Sequence, residues 1–245
     1  MTLFDPSLAR SSLPTLLAGL GLTVALTLIV IVLSLILGIF VALARLSKVT
    51  PLRVVASAYV EVIRSTPLLL QLIYIYFVLP YIGVRFDPFL AGVVGLTVNY
   101  AAYMSEVYRS GIQAIPRGQL DAAAALGMRA SLAMRRIVLP QAIRIVIPVL
   151  GNYFVSLFKD TSLTSALTIQ ELLFSGQIIA ARTYNYFTIY TLVFILYFLV
   201  GYPASRFVRY LERISKRGYS RKRKITTRME PEPLPAAIES GRSIK

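Results

Sequence analysis

The chain has 245 residues, 56% of them hydrophobic, and a formal net charge of +15; an ordinary soluble domain is about 45–50% apolar. Cysteine and histidine are both absent, which excludes disulfides, thiolate sites and imidazole chemistry. The mean hydropathy of +0.68 marks an integral membrane protein. The basic excess therefore reads as cytoplasmic loops obeying the positive-inside rule, not as a nucleic-acid surface, and no nucleic acid is expected as a partner.

The length allows one compact domain plus a tail. A polar start, residues 1–12, is expected on the periplasmic side. It carries no basic n-region, and the apolar run after it is too long for a secretory signal. A first span is predicted over 13–44. Residues 16–44 carry no charge, against the roughly 20 residues that cross a bilayer. Arg45 and Lys48 close it, and Pro51 stops the helix. A second span is predicted over 52–81. Asp87-Pro88 reads as an N-cap with Pro at N1, opening a third over 88–111.

Residues 112–136 form a basic loop with one ordered piece. Asp121 to Leu126 reads DAAAAL, nearly pure helix former. Gly127 follows where a C-terminal cap belongs. A second, basic helix is expected from about Ser131 toward Pro140. A helix this short is marginal alone in water and needs a surface to pack on. It is either a plain connector or a docking element.

A fourth span is predicted over 137–158, with Pro140 and Pro148 inside it; membrane helices tolerate such prolines. The next stretch is too polar to span and too apolar to be free loop. It reads as a break over 160–165 and a short, partly buried helix over 169–180. A fifth span follows over 184–214. Residues 215–245 are basic, then rich in Pro, Glu and Ser, a composition expected to stay disordered.

Basic residues set the orientation. Arg45, Lys48 and Arg53 fall on one side, as do Arg117, Arg129, Arg135 and Arg136 two spans later, and the tail from Arg206. The N-terminus is therefore expected outside and the C-terminus in the cytoplasm. The Ala-rich helix lies on the cytoplasmic side. Membrane interfaces would be anchored by Tyr, since the chain has 15 Tyr and no Trp.

Ionisable groups within spans are functional candidates. Glu61 and Arg64 are three apart on span two and are expected to pair, fixing that helix's rotation. Asn99, Tyr103 and Glu106 form a polar stripe on span three, as interhelical glue or as pathway lining. Asp160 sits at the broken end of span four, where unwound backbone lines a cavity or is buried in protein.

Four stretches resemble the permease subunits of ABC importers. Asp121-Ala122-Ala123, Gly127, Ile137 and Leu139-Pro140 match the spacing of their EAA loop, with Asp121 where that family usually has Glu. Arg64, Thr66, Pro67, Leu68, Leu69, Gln71 and Leu72 match the R-x-T-P-L-L-x-Q-L signature of the polar amino-acid branch. Residues 99–119 and 151–172 resemble the same branch.

The resemblance implies an all-α bundle of five transmembrane helices of the type I importer kind, multi-pass in the cytoplasmic (inner) membrane, with residues 13–214 as the permease domain. It implies a coupling helix, on Asp121, Ala122, Ala123, Leu126, Gly127 and Pro140, docking on a dimer of ATPase subunits. The chain has no G-x-x-x-x-G-K-[ST] phosphate loop, so the partner would bind and hydrolyse ATP, and no cofactor or metal is expected here. A second permease chain, identical or homologous, and a periplasmic or lipid-anchored substrate-binding protein complete the implied assembly. Carried over residue by residue, the substrate site would be Asn99, Tyr103, Glu106, Asp160 and Thr161. Asp160 or Glu106 would meet an ammonium, and the others a carboxylate or polar side chain.

Two alternatives remain at this point. A self-contained ion channel or secondary carrier would explain the intramembrane charges but not the Ala-Gly-Ile-x-Leu-Pro spacing. An intramembrane enzyme would have only a Ser–Lys or carboxylate dyad available.

Overall fold

The computed structural model describes residues 3–227, and within them every regular element is helical. Helix α1, Pro6–Leu46, begins well before the first predicted span. Asp5 caps it, its carboxylate accepting from the amides of Ser7 and Leu8 with Pro6 at N1. The segment expected as a polar start is therefore mostly helix.

The second span is not one helix. Helix α2, Thr50–Arg64, and a second segment, Leu68–Ile82, meet at 109°. Pro67 is extended there, at φ −63° and ψ 135°, because it cannot donate an amide and clashes with a continuing helix. The carbonyls freed at the bend find a side-chain donor. The Gln71 amide donates to the Ile63 carbonyl at 2.8 Å and the Thr66 carbonyl at 3.1 Å. Helix α3, Leu68–Ile73, then widens into a π turn, Tyr74–Val78, and tightens into a 3-10 turn, Leu79–Ile82.

Helix α4, Pro88–Gln113, starts as expected, with the Asp87 carboxylate accepting from the Leu90 amide. Helix α5, Arg117–Ala125, is the Ala-rich helix. Helix α6, Ala130–Ala133, runs through a π turn, Met134–Val138, into α7, Leu139–Asp160. The α-helix ends at the predicted break and becomes a 3-10 segment, Thr161–Leu167. Helix α8 is Leu172–Thr183, later than predicted.

The last helix, α9, extends over Tyr186–Thr227. This helix includes residues 215–227, the first part of the tail expected to stay disordered. Residues 228–245, the remainder of the predicted tail, lie outside the described residues.

Among the described residues, three helical stretches are long and apolar enough to cross a membrane, Pro6–Leu46, Ala130–Leu167 and Tyr186–Ser215, and the bent pair counts as a fourth if taken as one span. Helix α4 falls short on hydropathy, not length. Its 26 residues reach about 39 Å at roughly 1.5 Å each. It packs along α1, α2, α3 and α7, so its outer surface is protein rather than lipid and need not be uniformly apolar.

Small residues set the α1–α4 contact. A Cβ on Gly38 would lie 2.9 Å from the Met104 Cβ and 3.2 Å from the Ala101 carbonyl. Gly38→Val is therefore expected to cost about 1–3 kcal/mol through overpacking. Gly21→Val, where a Cβ meets nothing within 4 Å, is the control. Thermal unfolding in detergent checks this, and equal losses at both positions would refute the close-contact argument.

Glu171 ties the other end of the bundle together. It is fully buried and caps α8 by accepting from the amides of Leu173 and Phe174. It also accepts from the Tyr197 hydroxyl of α9 at 2.8 Å. The Thr23 hydroxyl of α1 lies 3.5 Å away. One carboxylate thus joins three helices and satisfies two orphan amides.

Candidate functional site

The middle of the bundle holds a polar and aromatic cluster where α2 bends and α7 ends. Tyr100 and Tyr103, one turn apart on α4, both reach Tyr153 of α7, with ring centroids 6.2 Å and 5.8 Å apart. The Tyr100 hydroxyl donates to the Asp160 carboxylate at 2.6 Å. On the other flank the Arg64 guanidinium lies 5.7 Å from the Tyr103 ring centre, a cation–π contact. The cluster thus has an anion at one end, a cation at the other and three tyrosines between them.

Arg64 does not pair with Glu61, contrary to expectation. No ion pair joins them among the described residues, and both are exposed. Helix α2 ends at Arg64, so the side chain is free to swing onto the aromatic ring of another helix.

The five expected substrate residues separate into two groups. Tyr103 and Asp160 belong to the cluster and are half-buried. The other three are engaged within the chain. Asn99 is buried and donates to the Gln71 side chain at 2.9 Å, locking α4 to the bend. Thr161 is fully buried, its hydroxyl donating to the Phe158 carbonyl at 2.8 Å. Glu106 accepts from Arg45 of α1 at 2.5 Å and pairs with Arg109 on its own helix. It serves as the centre of a three-residue ion network, not as a free carboxylate.

On the cytoplasmic side of the predicted topology, α5 ends as the spacing requires. Gly127 is left-handed at φ +72°, and the Met128 amide donates back to the Ala123 carbonyl at 3.0 Å, closing a Schellman cap. Ala123 is buried, while Asp121, Ala122 and Pro140 are exposed. Leu126 is 82% exposed at the tip. The helix is fastened to α7 by two reciprocal amide bonds. Gln141 donates to Gln119 at 2.6 Å, and Gln119 donates to Gln141 at 3.3 Å.

A family model described as "binding-protein-dependent transport system inner membrane component" matches residues 34–216. The chain belongs to this family. As an inner membrane component it is 37% identical over 211 residues to a probable amino-acid ABC transporter permease of Bacillus subtilis, YckA, covering 86% of this chain and 93% of that protein. It is 40% identical over 205 residues to the L-cystine transport system permease TcyB of the same organism, covering 83% and 88%. Among solved structures, an amino acid ABC transporter solved with histidines matches with TM-score 0.83 and 38% identity, over 87% of this chain and 99% of that one. An inward-facing MetNI methionine ABC transporter, at 22% identity and TM-score 0.57, shares the fold. The all-α membrane bundle read from the sequence is the architecture of this inner membrane component, and the family is the one its EAA-like spacing resembled.

Several residues that hold these contacts were not singled out in the sequence. Tyr100 was hidden by lying beside Asn99, although it falls three before Tyr103. Arg45 reads as an ordinary helix-end cation, with nothing local to link it to Glu106. Gln119 and Gln141, separated by 22 residues, carry no pattern at all. Gln71 was visible only as a letter of the resembling signature.

Proposed function

We propose that this chain is the translocating subunit of an ABC importer for polar amino acids, with its N-terminus outside and its C-terminus in the cytoplasm. Two permease chains enclose the path. A pair of ATPase subunits binds and hydrolyses ATP at the inner face, and a substrate-binding protein delivers cargo from the outer face. The relatives named for amino-acid and cystine transport support the substrate class.

The observation that carries the coupling reading is the α5 tip. An almost fully exposed leucine, Leu126, caps a small helix that packs little of itself on its own chain, and such an apolar anchor suits a pocket on a partner. The Gln119–Gln141 bonds make that helix a lever on α7, which carries Tyr153 and Asp160. When the ATPase pair closes, the displacement of α5 passes along α7 and reshapes the tyrosine cluster. Alternating access follows if cargo binds the cluster in one state and leaves it in the other.

At the cluster, Asp160 meets the ammonium group of the cargo, and the hydroxyls of Tyr103 and Tyr153 meet polar groups. Binding is therefore expected to require a cationic nitrogen.

The test is reconstitution into vesicles with the ATPase and the binding protein. Gly127→Val is expected to leave the protein in the membrane but to separate ATP hydrolysis from uptake. A β-branched residue at positive φ costs about 1–2 kcal/mol and distorts the tip. Wild-type uptake per ATP from that variant would count against coupling through α5.

A further inference from the structure

Helix α7 has a mostly polar stripe, shared with Ile145, Pro148 and Val155, that its own bundle leaves largely uncovered beyond the Gln119–Gln141 bonds. Gln141, Arg144, Asn152, Ser156 and Lys159 fall within about a third of the helix circumference, at roughly 100° per residue. Arg144, Asn152 and Lys159 are exposed, and Gln141 and Ser156 half-buried. The buried side of the same helix is Ala142, Val146 and Leu157. Among the described residues neither Arg144 nor Lys159 has an ion pair. Asn152 donates only to its own helix, at the Pro148 carbonyl, 3.2 Å. Lys159 also edges the groove between α7 and α9.

Arg144 and Lys159 are separated by about 22 Å along the axis at roughly 1.5 Å per residue, less than the approximately 30 Å hydrocarbon thickness. A helix that crosses the layer therefore holds at least one of them inside it, with Asn152 between them. Polar and charged groups at that depth face protein or water, not lipid. The face bears two cations and no acid.

We propose that this face of α7 is a wall of the aqueous path, looking across a gap at the second permease chain, and that Arg144 and Lys159 draw the carboxylate of the passing solute. The proposal rests on the importer reading and deepens it. Asp160, next along the helix and turned toward Tyr100, takes the ammonium, while the cationic wall steers the acidic end. A solute bearing both groups is oriented by the two together, whereas a simple cation is repelled by the wall.

The absence of cysteine makes the test direct. Asn152→Cys or Ser156→Cys is placed in the full assembly in membrane vesicles and labelled with the anionic reagent MTSES or the cationic reagent MTSET. Val32→Cys, on the exposed apolar side of α1, is the control. The α7 thiols are expected to react at least about tenfold faster than the control, since only a hydrated thiol ionises readily. The anion-over-cation preference, normalised to a free thiol, is expected to fall about tenfold in Arg144→Gln/Lys159→Gln, as two charges at roughly 11 Å allow in an aqueous medium.

Labelling as slow as the control at both positions would overturn the wall. Fast labelling with a preference unchanged by the double substitution would overturn the carboxylate role. Either result obtained while ATP-driven uptake persists leaves the importer reading standing. Loss of any partner-dependent uptake in the unsubstituted protein would instead remove that reading.

Discussion

Glu106→Gln is expected to destabilise the purified protein by about 3 kcal/mol, more than removal of either arginine that it holds. The reason is the asymmetry of the network. Glu106 is the one carboxylate between Arg45 and Arg109, and all three side chains are less than a third exposed. Without it, two guanidinium groups are left together near the C-terminal end of α4. The Arg45 Nε is buried with no partner even in the intact protein. Arg45→Met keeps the Glu106–Arg109 pair and is expected to cost less, as is Arg109→Met, which keeps Arg45–Glu106. Thermal unfolding midpoints of the three variants decide this. Equal shifts, or a larger one for either arginine, would show that Glu106 is not the hub.

Asp160→Asn is expected to lower uptake roughly 10- to 100-fold while leaving the fold in place. The Tyr100 hydroxyl still finds an acceptor in the amide oxygen, so the contact between α4 and α7 survives. What disappears is the charge proposed to face the cargo ammonium, and a hydrogen bond to a charged group is worth about 1.5–3 kcal/mol. Tyr100→Phe removes only the neutral side of the contact and is expected to lower uptake less. Initial uptake rates, together with ATPase activity as a check on assembly, measure both. Unaltered uptake in Asp160→Asn would remove the tyrosine cluster from the path.

The parts of this protein that could be read in advance are those governed by neighbours in sequence. Long apolar runs gave α1 and α9. The Asp87-Pro88 dipeptide gave the start of α4, because capping is decided within three residues. Gly127 closed α5 as its spacing required. The same Asp-Pro signal at Asp5-Pro6 was available and would have moved the start of α1 outward.

The parts that could not be read depend on distant partners. Pro67 in a membrane segment is compatible with a mild kink or a sharp bend. The 109° bend is sustained by Gln71 reaching back to Ile63 and by Asn99 holding Gln71 from another helix. Glu61 and Arg64 have the spacing of an ion pair, yet the Tyr103 face competes for the arginine. Glu106 looked available to cargo although Arg109 stands only three residues on; its second partner, Arg45, is 61 residues away and has no local signal. Helix α4 shows how a helix packed by four others can fall below the hydropathy of a span, since it no longer needs an apolar exterior.

The central claim is that another subunit moves this one through the tip of α5. A photo-reactive residue in place of Leu126 tests it most directly, in vesicles carrying out ATP-driven uptake. The account requires an adduct with the nucleotide-hydrolysing subunit, formed at the inner face and changing in yield with nucleotide. Uptake that proceeds with no such adduct, or labelling of residues 121–127 from the outer face, would contradict it.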